Sequence, residues 1–415
     1  MEKKVVIVSY TFPPSHGIGG RRWAKFAKYL NRNGAAVKIL TFSTGDGSNW
    51  NHDVSEYKNL VDKLDPKQPF YLLNSMPDSV FSKIWYRVTL YLAQIKFSGN
   101  VYDPALMIKG QLFKYLDERL KEGYCNVIVS GAPFHLTYYA SLFKKKHPEI
   151  NLILDYRDPW TTNEMGYQFK DMSKKRLVKE REIENSAIAN ADYVYTVNDT
   201  MSAYFESISP PSTVVRTIKN GFDDEDFEKS ELPNGVNNEK MKLVYTGNLY
   251  DNIDYIFVPL MNVLKGMSKE EVQRFEFNFY GGYEERYKKI VDQFNLGDTV
   301  RFYDFISLPE VFNKIRESDC ALLFLTKDLK DSFSTKFYEY LSQRKFIVVF
   351  SEMGETGRFI EKNKLGISIQ PEFISDKLNV LIQLKEEKNI EVDTSFDINQ
   401  YSVKSITKLI EEDLK

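Results

Sequence analysis

Short apolar runs and longer amphipathic segments follow one another along most of this chain. The apolar runs predict buried strands, at positions 5–8, 37–40, 127–129, 152–154, 193–197, 243–249, 275–282, 300–302, 321–325 and 346–350. Helices are predicted between them, and the clearest lie at positions 21–31, 80–95 and 173–190. Strands that alternate with helices form parallel sheets whose faces the helices cover. The pattern therefore predicts an α/β fold.

Turn-forming residues accumulate between positions 210 and 238. They include Pro210-Pro211, Asn220-Gly221 and Pro233-Asn234-Gly235. Such a cluster is typical of a connection between domains. We predict two Rossmann-like domains, at residues 1–210 and 215–395, with the segment 396–415 packing back on the first.

The composition excludes several classes of function. The 415 residues carry 56 Lys plus Arg against 58 Asp plus Glu, a net charge of −2, which gives no electrostatic basis for nucleic-acid binding. Cys125 and Cys320 lie beside predicted strands, as buried thiols in a reducing compartment do. No stretch approaches 18 uninterrupted apolar residues, and the N-terminus lacks a signal-peptide core, so we expect a cytoplasmic protein.

The predicted helix at 80–95 has two interpretations. Its large apolar residues recur at helical spacing, and they are Phe81, Ile84, Trp85, Val88, Tyr91, Leu92 and Ile95. With Lys83, Arg87 and Lys96 nearby, the segment could lie in a membrane interface. A helix packed in the core with basic flanks is the more common meaning of the pattern, and we favour it.

The loop after the first strand contains Gly17, Gly19 and Gly20, but position 22 is Arg22, so the dinucleotide pattern G-x-G-x-x-G is broken and NAD is not expected. The glycines still allow a ligand to approach the backbone, and Arg21 lies at the helix start. A ligand-facing loop is therefore favoured, with a surface charge as the alternative for Arg22.

His135 and Arg157 each follow the end of a predicted strand. Active-site loops gather at the carboxyl ends of parallel strands, so both residues are candidates for a site. For His135 a purely structural role is the alternative.

Residues 331–350 form a strand–loop–helix–strand unit with the preceding apolar run. Ser334 and Thr335 open the helix, where unpaired N–H groups suit a phosphate. Lys336 adds a positive charge, and Glu339 shares a helix face with Thr335. The alternative is an ordinary amphipathic helix on which Lys336 and Glu339 are solvated.

Several motifs in this order resemble one family. They are Y-x-F-P-P from Tyr10 with the glycines and arginines that follow, SGAPFH at 130–135, DYRDPW at 155–160, IKNGFD at 218–223, YTGNL at 245–249 and DSFSTKFYEYL at 331–341. The chain resembles, over nearly its whole length, a GT-B glycosyltransferase of the retaining family 4 type, in particular members that build bacterial envelope polysaccharides. The resemblance implies two Rossmann-like domains that face a central cleft.

The resemblance also implies roles for individual residues. Glu339 would hold the donor ribose, Asp331 stands where an acid contacts the transferred sugar, and Ser334, Thr335 and Lys336 would grip the diphosphate. Gly247, Asn248, Gly281 and Gly282 would line the nucleotide pocket, His135 and Arg157 would face the reacting sugar, and Gly19, Gly20 and Arg21 would form the acceptor-side loop. This chain departs from the pattern in three places: Asp331 replaces Glu, no basic residue soon follows Gly-Asn-Leu, and Gln343-Arg344-Lys345-Phe346 replaces Gly-Lys-Pro.

The implied function is transfer of a sugar from a nucleoside diphosphate to a glycan or lipid-linked acceptor, without metal or cofactor and with peripheral membrane contact. Two alternatives stay open: a sugar-nucleotide epimerase of the same fold, and an inactive binding protein. The base, the sugar and the acceptor are not encoded in any motif that we identify.

Overall fold

The computed structural model describes residues 2–14, 18–42, 55–57, 59–66, 79–96, 103–162, 172–227, 240–249, 252–283 and 285–415. Gly17 and part of the predicted connection, residues 228–239, lie outside this range. The chain divides into two compact units. Unit 1 comprises Met1–Lys219 and Ile406–Lys415, and unit 2 comprises Asn220–Ser405.

Unit 1 contains a seven-stranded parallel sheet in the order β3-β2-β1-β4-β5-β6-β7. Its strands are β1 (Lys4–Val8), β2 (Ala36–Thr41), β3 (Val61–Lys63), β4 (Asn126–Gly131), β5 (Asn151–Tyr156), β6 (Tyr193–Thr196) and β7 (Val214–Thr217). Its helices are α1 (Ile18–Arg32), α2 (Val80–Lys96), α3 (Lys109–Lys121), α4 (His135–Lys146), α5 (Lys174–Ile188) and α6 (Asp199–Ile208).

Unit 2 contains a six-stranded parallel sheet in the order β10-β9-β8-β11-β12-β13. Its strands are β8 (Met241–Thr246), β9 (Phe275–Tyr280), β10 (Val300–Tyr303), β11 (Cys320–Phe324), β12 (Phe346–Phe350) and β13 (Gly366–Ile369). Its helices are α7 (Asp254–Gly266), α8 (Lys269–Val272), α9 (Glu285–Gln293), α10 (Leu308–Glu317), α11 (Thr335–Ser342), α12 (Glu355–Lys362) and α13 (Ile374–Glu386). A last helix, α14 (Val403–Asp413), begins in unit 2 and ends in unit 1.

The predicted strands are confirmed, and so is the α/β fold. Every residue of β11 and β12 is buried, because a central strand of a parallel sheet is covered on both faces. This double burial is why these strands were visible as continuous apolar runs. The strands β3, β7 and β13 were not predicted, since each has only three or four residues and few of them are large and apolar.

The C-terminal segment of unit 1 contacts the starts of the central strands of its sheet. Asn126 donates its side-chain amide to the Lys415 carbonyl over 3.1 Å, and Asn151 donates to the Asp413 carbonyl over 2.7 Å. The Asp413 carboxylate accepts from the Tyr195 hydroxyl over 2.8 Å. The C-terminal segment thereby supplies hydrogen-bond acceptors for the side chains of Asn126, Asn151 and Tyr195, which the strands alone do not offer.

The core-packed interpretation of α2 is wrong. Ala93 is its buried residue, whereas Phe81 is 79% exposed and Trp85 is 57% exposed. All the large apolar residues of one helix face point outward, namely Val80, Phe81, Ile84, Trp85, Val88, Tyr91, Leu92 and Ile95. The less exposed residues of the helix are Ser82, Tyr86, Thr89, Leu90 and Ala93. Periodicity identified the helix, but it could not tell which face the rest of the unit would cover.

No helix among the described residues has the length and apolar character that crossing a membrane requires. Both cysteines are free thiols; Cys320 is buried, as predicted, and Cys125 is half-buried.

Candidate functional site

Two glycine turns meet at the carboxyl edge of the unit 2 sheet. Gly247 follows β8 with φ +92°, and Gly281 follows β9 with φ +130°, a region that side chains disfavour. The Gly247 N–H donates to the Tyr280 carbonyl over 2.7 Å. A Cβ added to Gly281 would lie 2.6 Å from the Gly247 carbonyl oxygen, so neither turn has space for a side chain. Gly281 is buried, and Gly247 is half-buried.

Lys336 lies against the first of these turns. A Cβ on Gly247 would stand 2.9 Å from the Lys336 Cε, and the Lys336 ammonium lies 5.2 Å from the centre of the Tyr245 ring. Burial lowers the pKa of Lys336, and the charge of Glu339 acts in the opposite direction. The half-buried position and these contacts contradict the alternative of a freely solvated lysine.

The start of α11 is held close to the same turn. Phe337, Tyr338 and Leu341 are buried in the core of unit 2, which fixes one face of the helix. The hydroxyl of Tyr340 accepts from the Thr246 N–H over 3.1 Å, so α11 is tied to the end of β8. Ser334 precedes the helix, and its buried hydroxyl has no hydrogen-bond partner among the described residues. An anion at this helix start would find both N–H groups and that hydroxyl.

Asn248 and Gly282 complete this cluster. A Cβ on Gly282 would stand 2.5 Å from the Asn248 side-chain oxygen. The structure thus places Gly247, Asn248, Gly281, Gly282 and Lys336 together, as a site requires. Ser334, Thr335 and Glu339 lie on the helix that carries Lys336.

Asp331 has a structural partner. Its carboxylate accepts the Glu355 N–H over 2.6 Å at the start of α12, and Arg358 lies 3.9 Å away. The neighbouring Thr356 donates its hydroxyl to the Ser332 carbonyl over 3.0 Å. These bonds fasten the loop before α11 to α12. The contact between Asp331 and a transferred sugar stays a prediction.

In unit 1, His135 begins α4 directly after β4 and is paired with Asp103. Its Nδ1 lies 2.7 Å from Asp103 Oδ2, and its N–H donates to the same oxygen over 3.1 Å. The imidazole is only 4% exposed. No motif pointed to Asp103, which the fold brings to the histidine from 32 positions earlier in the chain.

The other predicted residues of unit 1 are more dispersed. Arg157 follows β5 and donates to the Asp158 carboxylate over 2.7 and 2.9 Å. Gly19, Gly20 and Arg21 lie in the first turn of α1. A Cβ on Gly20 would stand 2.8 Å from the Thr11 carbonyl oxygen, so Gly20 allows α1 to pack closely on the preceding loop.

Arg22 is not the surface charge that the sequence allowed as an alternative. Its guanidinium lies 3.0 Å from Asp155 within the core, and it donates to the Ile218 carbonyl over 2.7 Å. Asp155 also accepts from the Trp23 indole over 2.7 Å and from the Ser130 hydroxyl over 3.1 Å. Arg22 and Asp155 therefore join α1, β4, β5 and the exit from β7. The motif DYRDPW contained Asp155, but sequence reasoning gave it no role.

Helix α5 turns a row of charged side chains inward. Arg176, Glu180 and Glu184 are spaced four residues apart, and all are buried. Arg176 pairs with Glu180, and Glu184 accepts from the hydroxyls of Thr161 and Tyr204. Burial raises the pKa of Glu184 to about 7, although its hydroxyl partners oppose the shift.

Comparisons with known proteins place unit 2 in a functional class. The family described as glycosyl transferases group 1 matches residues 226–401. Residues 226–401, within unit 2, are therefore those of a glycosyltransferase, which confirms the predicted class of enzyme. At the level of whole sequences, no curated protein matches the chain.

Solved glycosyltransferase structures share the fold of this chain. HepE of Anabaena, in complex with UDP and glucose, aligns with a TM-score of 0.64 at 11% identity over 99% of each chain. A sucrose-phosphate synthase from Thermosynechococcus elongatus aligns with a TM-score of 0.61 at 13% identity, over 99% of this chain and 98% of the other. The lipopolysaccharide outer core galactosyltransferase WaaB, in its apo form, aligns with a TM-score of 0.62 at 13% identity, again over 99% and 98%. At these identities the likeness shows the fold, and it confirms the predicted GT-B class.

Proposed function

We propose that this glycosyltransferase moves a sugar from a nucleoside diphosphate to a glycan or lipid-linked acceptor in bacterial surface polysaccharide synthesis, with retention of configuration and without a metal ion. Unit 2 binds the donor, and residues of unit 1 serve the acceptor and the reacting sugar. These substrates and this mechanism are the ones that the resemblance of the sequence to family 4 implies.

The observation that carries the proposal is the position of Lys336 against Gly247. A cation, two bare glycine turns and a helix start converge at the carboxyl edge of a parallel sheet, where α/β proteins bind ligands. A diphosphate is the ligand that such a combination suits. HepE of Anabaena, which has the same fold, has been solved with UDP and with UDP-glucose.

The proposed reaction needs a group that stabilises the departing diphosphate. The bond between the sugar C1 and the phosphate oxygen breaks, and a bond from C1 to the acceptor oxygen forms on the same face of the ring. The acceptor proton passes to the leaving diphosphate. Lys336 and the N–H groups of α11 stabilise the negative charge that builds on that diphosphate, which is the role a metal ion fills elsewhere. Glu339 holds the ribose.

The donor is tested by thermal shift with UDP, GDP and a panel of their sugar conjugates. We expect one nucleotide series to raise the melting temperature. Release of the free nucleoside diphosphate is then followed with and without a membrane-lipid extract of a polysaccharide-producing bacterium as the acceptor source. Acceptor-dependent release supports the transferase. Slow release that ignores the acceptor indicates the epimerase, and donor binding without turnover indicates an inactive binding protein.

Helix α2 supports a second part of the proposal, namely that unit 1 docks on the anionic inner face of the cytoplasmic membrane. Eight large apolar side chains cover its outward face, and Trp85 and Tyr91 are among them. Lys83, Arg87 and Lys96 are exposed on the same helix. Aromatic side chains with lysine and arginine beside them suit the interface of an anionic bilayer.

Sedimentation with vesicles tests this docking. We expect binding to vesicles that contain phosphatidylglycerol, weaker binding to neutral vesicles, and loss of binding in the double variant Lys83→Glu with Trp85→Ser. The control variant is Phe373→Ser, which removes a half-exposed aromatic side chain from unit 2. Equal binding by the double variant and the wild type would contradict the proposal. A dimer that dissociates in the double variant, seen by light scattering, would assign the face to a second copy of the chain.

A further inference from the structure

The Asp103 carboxylate accepts three hydrogen bonds, and two of them come from His135. Asp103 Oδ1 accepts the Ala105 N–H over 2.8 Å. Its Oδ2 accepts both the backbone N–H and the Nδ1 of His135. The carboxylate therefore holds the backbone and the ring of the histidine together, which restricts the ring to one orientation.

The pairing also determines where the histidine proton resides. An ionised carboxylate can only accept, so Nδ1 must carry a hydrogen. The other ring nitrogen, Nε2, has no hydrogen bond among the described residues. It is the ring atom left for a ligand.

The charges around the ring favour its protonated form. Burial by itself lowers the pKa of His135, but the charge of Asp103 and its hydrogen bond raise it, and the net shift is upward. In the same pair, burial raises the pKa of Asp103, and His135 reverses this, so that the net shift is downward. From α5, Glu180 favours the charged ring and Arg176 opposes it. Because Arg176 and Glu180 are paired with each other, Asp103 has the deciding influence.

Uncharged groups complete the surroundings of the ring. The Trp160 ring centre lies 5.8 Å from that of His135, and the Tyr139 ring centre lies 6.1 Å away. The Tyr139 hydroxyl donates to the Leu106 carbonyl, and burial raises its pKa above its usual value, so it stays neutral. Neither ring competes with Asp103 for the histidine proton.

We propose that Asp103 is a positioning residue that holds His135 as a hydrogen-bond donor, with Nε2–H available to a substrate oxygen at the carboxyl edge of the unit 1 sheet. The inference rests on the proposed function and adds the protonation state of this histidine to it. A histidine held in this form donates a hydrogen bond to a substrate oxygen and does not take the acceptor proton. That is consistent with a leaving diphosphate that takes it.

The first test is a titration that needs no substrate. The ring resonances of His135, identified among the four histidines by their loss in His135→Gln, are followed by NMR against pH. We expect a midpoint above the ordinary 6.5 in the wild type. In Asp103→Asn the midpoint should fall by about one pH unit or more, the effect typical of an adjacent opposite charge. Asp103→Glu, which keeps the charge, should retain most of the upward shift.

Asp192→Asn is the matched control. Asp192 also accepts a backbone N–H, from Leu152 over 2.7 Å, and pairs with Lys144, but it lies at the opposite end of β5. It should leave the His135 midpoint unchanged. A wild-type midpoint at or below 6.5, or a midpoint that Asp103→Asn does not move, would overturn the proposal and leave Asp103 as a cap of α4.

The second test follows transfer itself. Since the protonated ring is the active form, kcat/KM should fall as the pH rises through the wild-type midpoint. The same fall should occur about one pH unit lower in Asp103→Asn. If the chain transfers no sugar, the proposed function fails and the titration still decides the role of Asp103. If transfer occurs with an unchanged pH profile in Asp103→Asn, the inference fails and the function stands.

Discussion

The carboxyl edges of the two sheets are formed by different kinds of residue. In unit 2 the edge consists of two glycine turns, at Gly247 and Gly281, and the start of α11 with Lys336. In unit 1 it carries side chains that are charged and buried, such as Asp155, Arg22 and His135. The first arrangement carries one lysine beside glycine backbone, whereas the second pairs its buried charges with one another. The comparison indicates that the edge of unit 2 depends on glycine backbone, and the edge of unit 1 on buried ion pairs.

The largest expected effect comes from breaking the interior of unit 1. Asp155→Ala leaves the Arg22 guanidinium buried without its carboxylate, so the free energy of unfolding should fall by about 3–5 kcal/mol. Urea unfolding measures it. The control is Asp117→Ala, which removes an exposed pair with His147 and should cost less than about 1 kcal/mol. Equal losses in the two variants would mean that burial of the pair is unimportant.

The corresponding change in unit 2 should affect turnover and spare the fold. Lys336→Ala is expected to lower kcat/KM by roughly 10²–10³, the loss typical of one charge-stabilising donor. Lys362→Ala removes an exposed lysine from α12 and should leave kcat/KM unchanged. Full activity of Lys336→Ala would contradict the role of Lys336 in stabilising the leaving diphosphate, on which the proposed function rests.

The buried acid of α5 should make stability depend on pH. Because burial raises the pKa of Glu184 from 4.5 to about 7, the folded state keeps a proton that the unfolded state releases. Stability should therefore fall as the pH rises from 4.5 to 7, by on the order of 3 kcal/mol. Glu184→Gln should flatten that dependence in unfolding curves measured across this range. Glu182→Gln, an exposed residue of the same helix, should follow the wild type.

The turn at Gly247 should matter both for stability and for binding of the donor. Gly247→Ala forces a side chain into a left-handed conformation and against Lys336, so we expect a loss of about 1–3 kcal/mol in stability together with weaker donor binding. Isothermal titration with the nucleotide measures the binding. Gly297→Ala adds a methyl group in open space in the same unit and should change neither quantity appreciably. If Gly247→Ala binds the donor as tightly as the wild type, this turn is not part of the donor site.

The smallest effect concerns Asp331. Asp331→Ala should cost about 1 kcal/mol, because the first turn of α12 loses an acceptor, whereas Asp331→Asn keeps an acceptor and should be nearly as stable as the wild type. Activity then distinguishes the two roles. Full kcat/KM in Asp331→Asn would assign Asp331 to the loop alone, and a marked loss would support contact with the sugar.

The sequence by itself determined the α/β class, most of the strands, and the glycine turns and helix start at the edge of unit 2. Strands at the centre of a parallel sheet are buried on both faces, so β11 and β12 appear as unbroken apolar runs. The turns around Gly247 and Gly281 and the start of α11 are local features, and their chemistry follows from residues next to one another.

Only the tertiary structure decided the partners of the charged residues and the outward face of α2. Arg22 and Asp155 are 133 positions apart, and no local pattern links them. The same holds for Asp103 and His135. The eight apolar residues of α2 have the spacing of a core helix, and hydrophobic periodicity is the same whether a face is covered by the protein or left for another surface. Burial depends on what the rest of the chain places beside a residue, and a one-dimensional pattern does not contain that information.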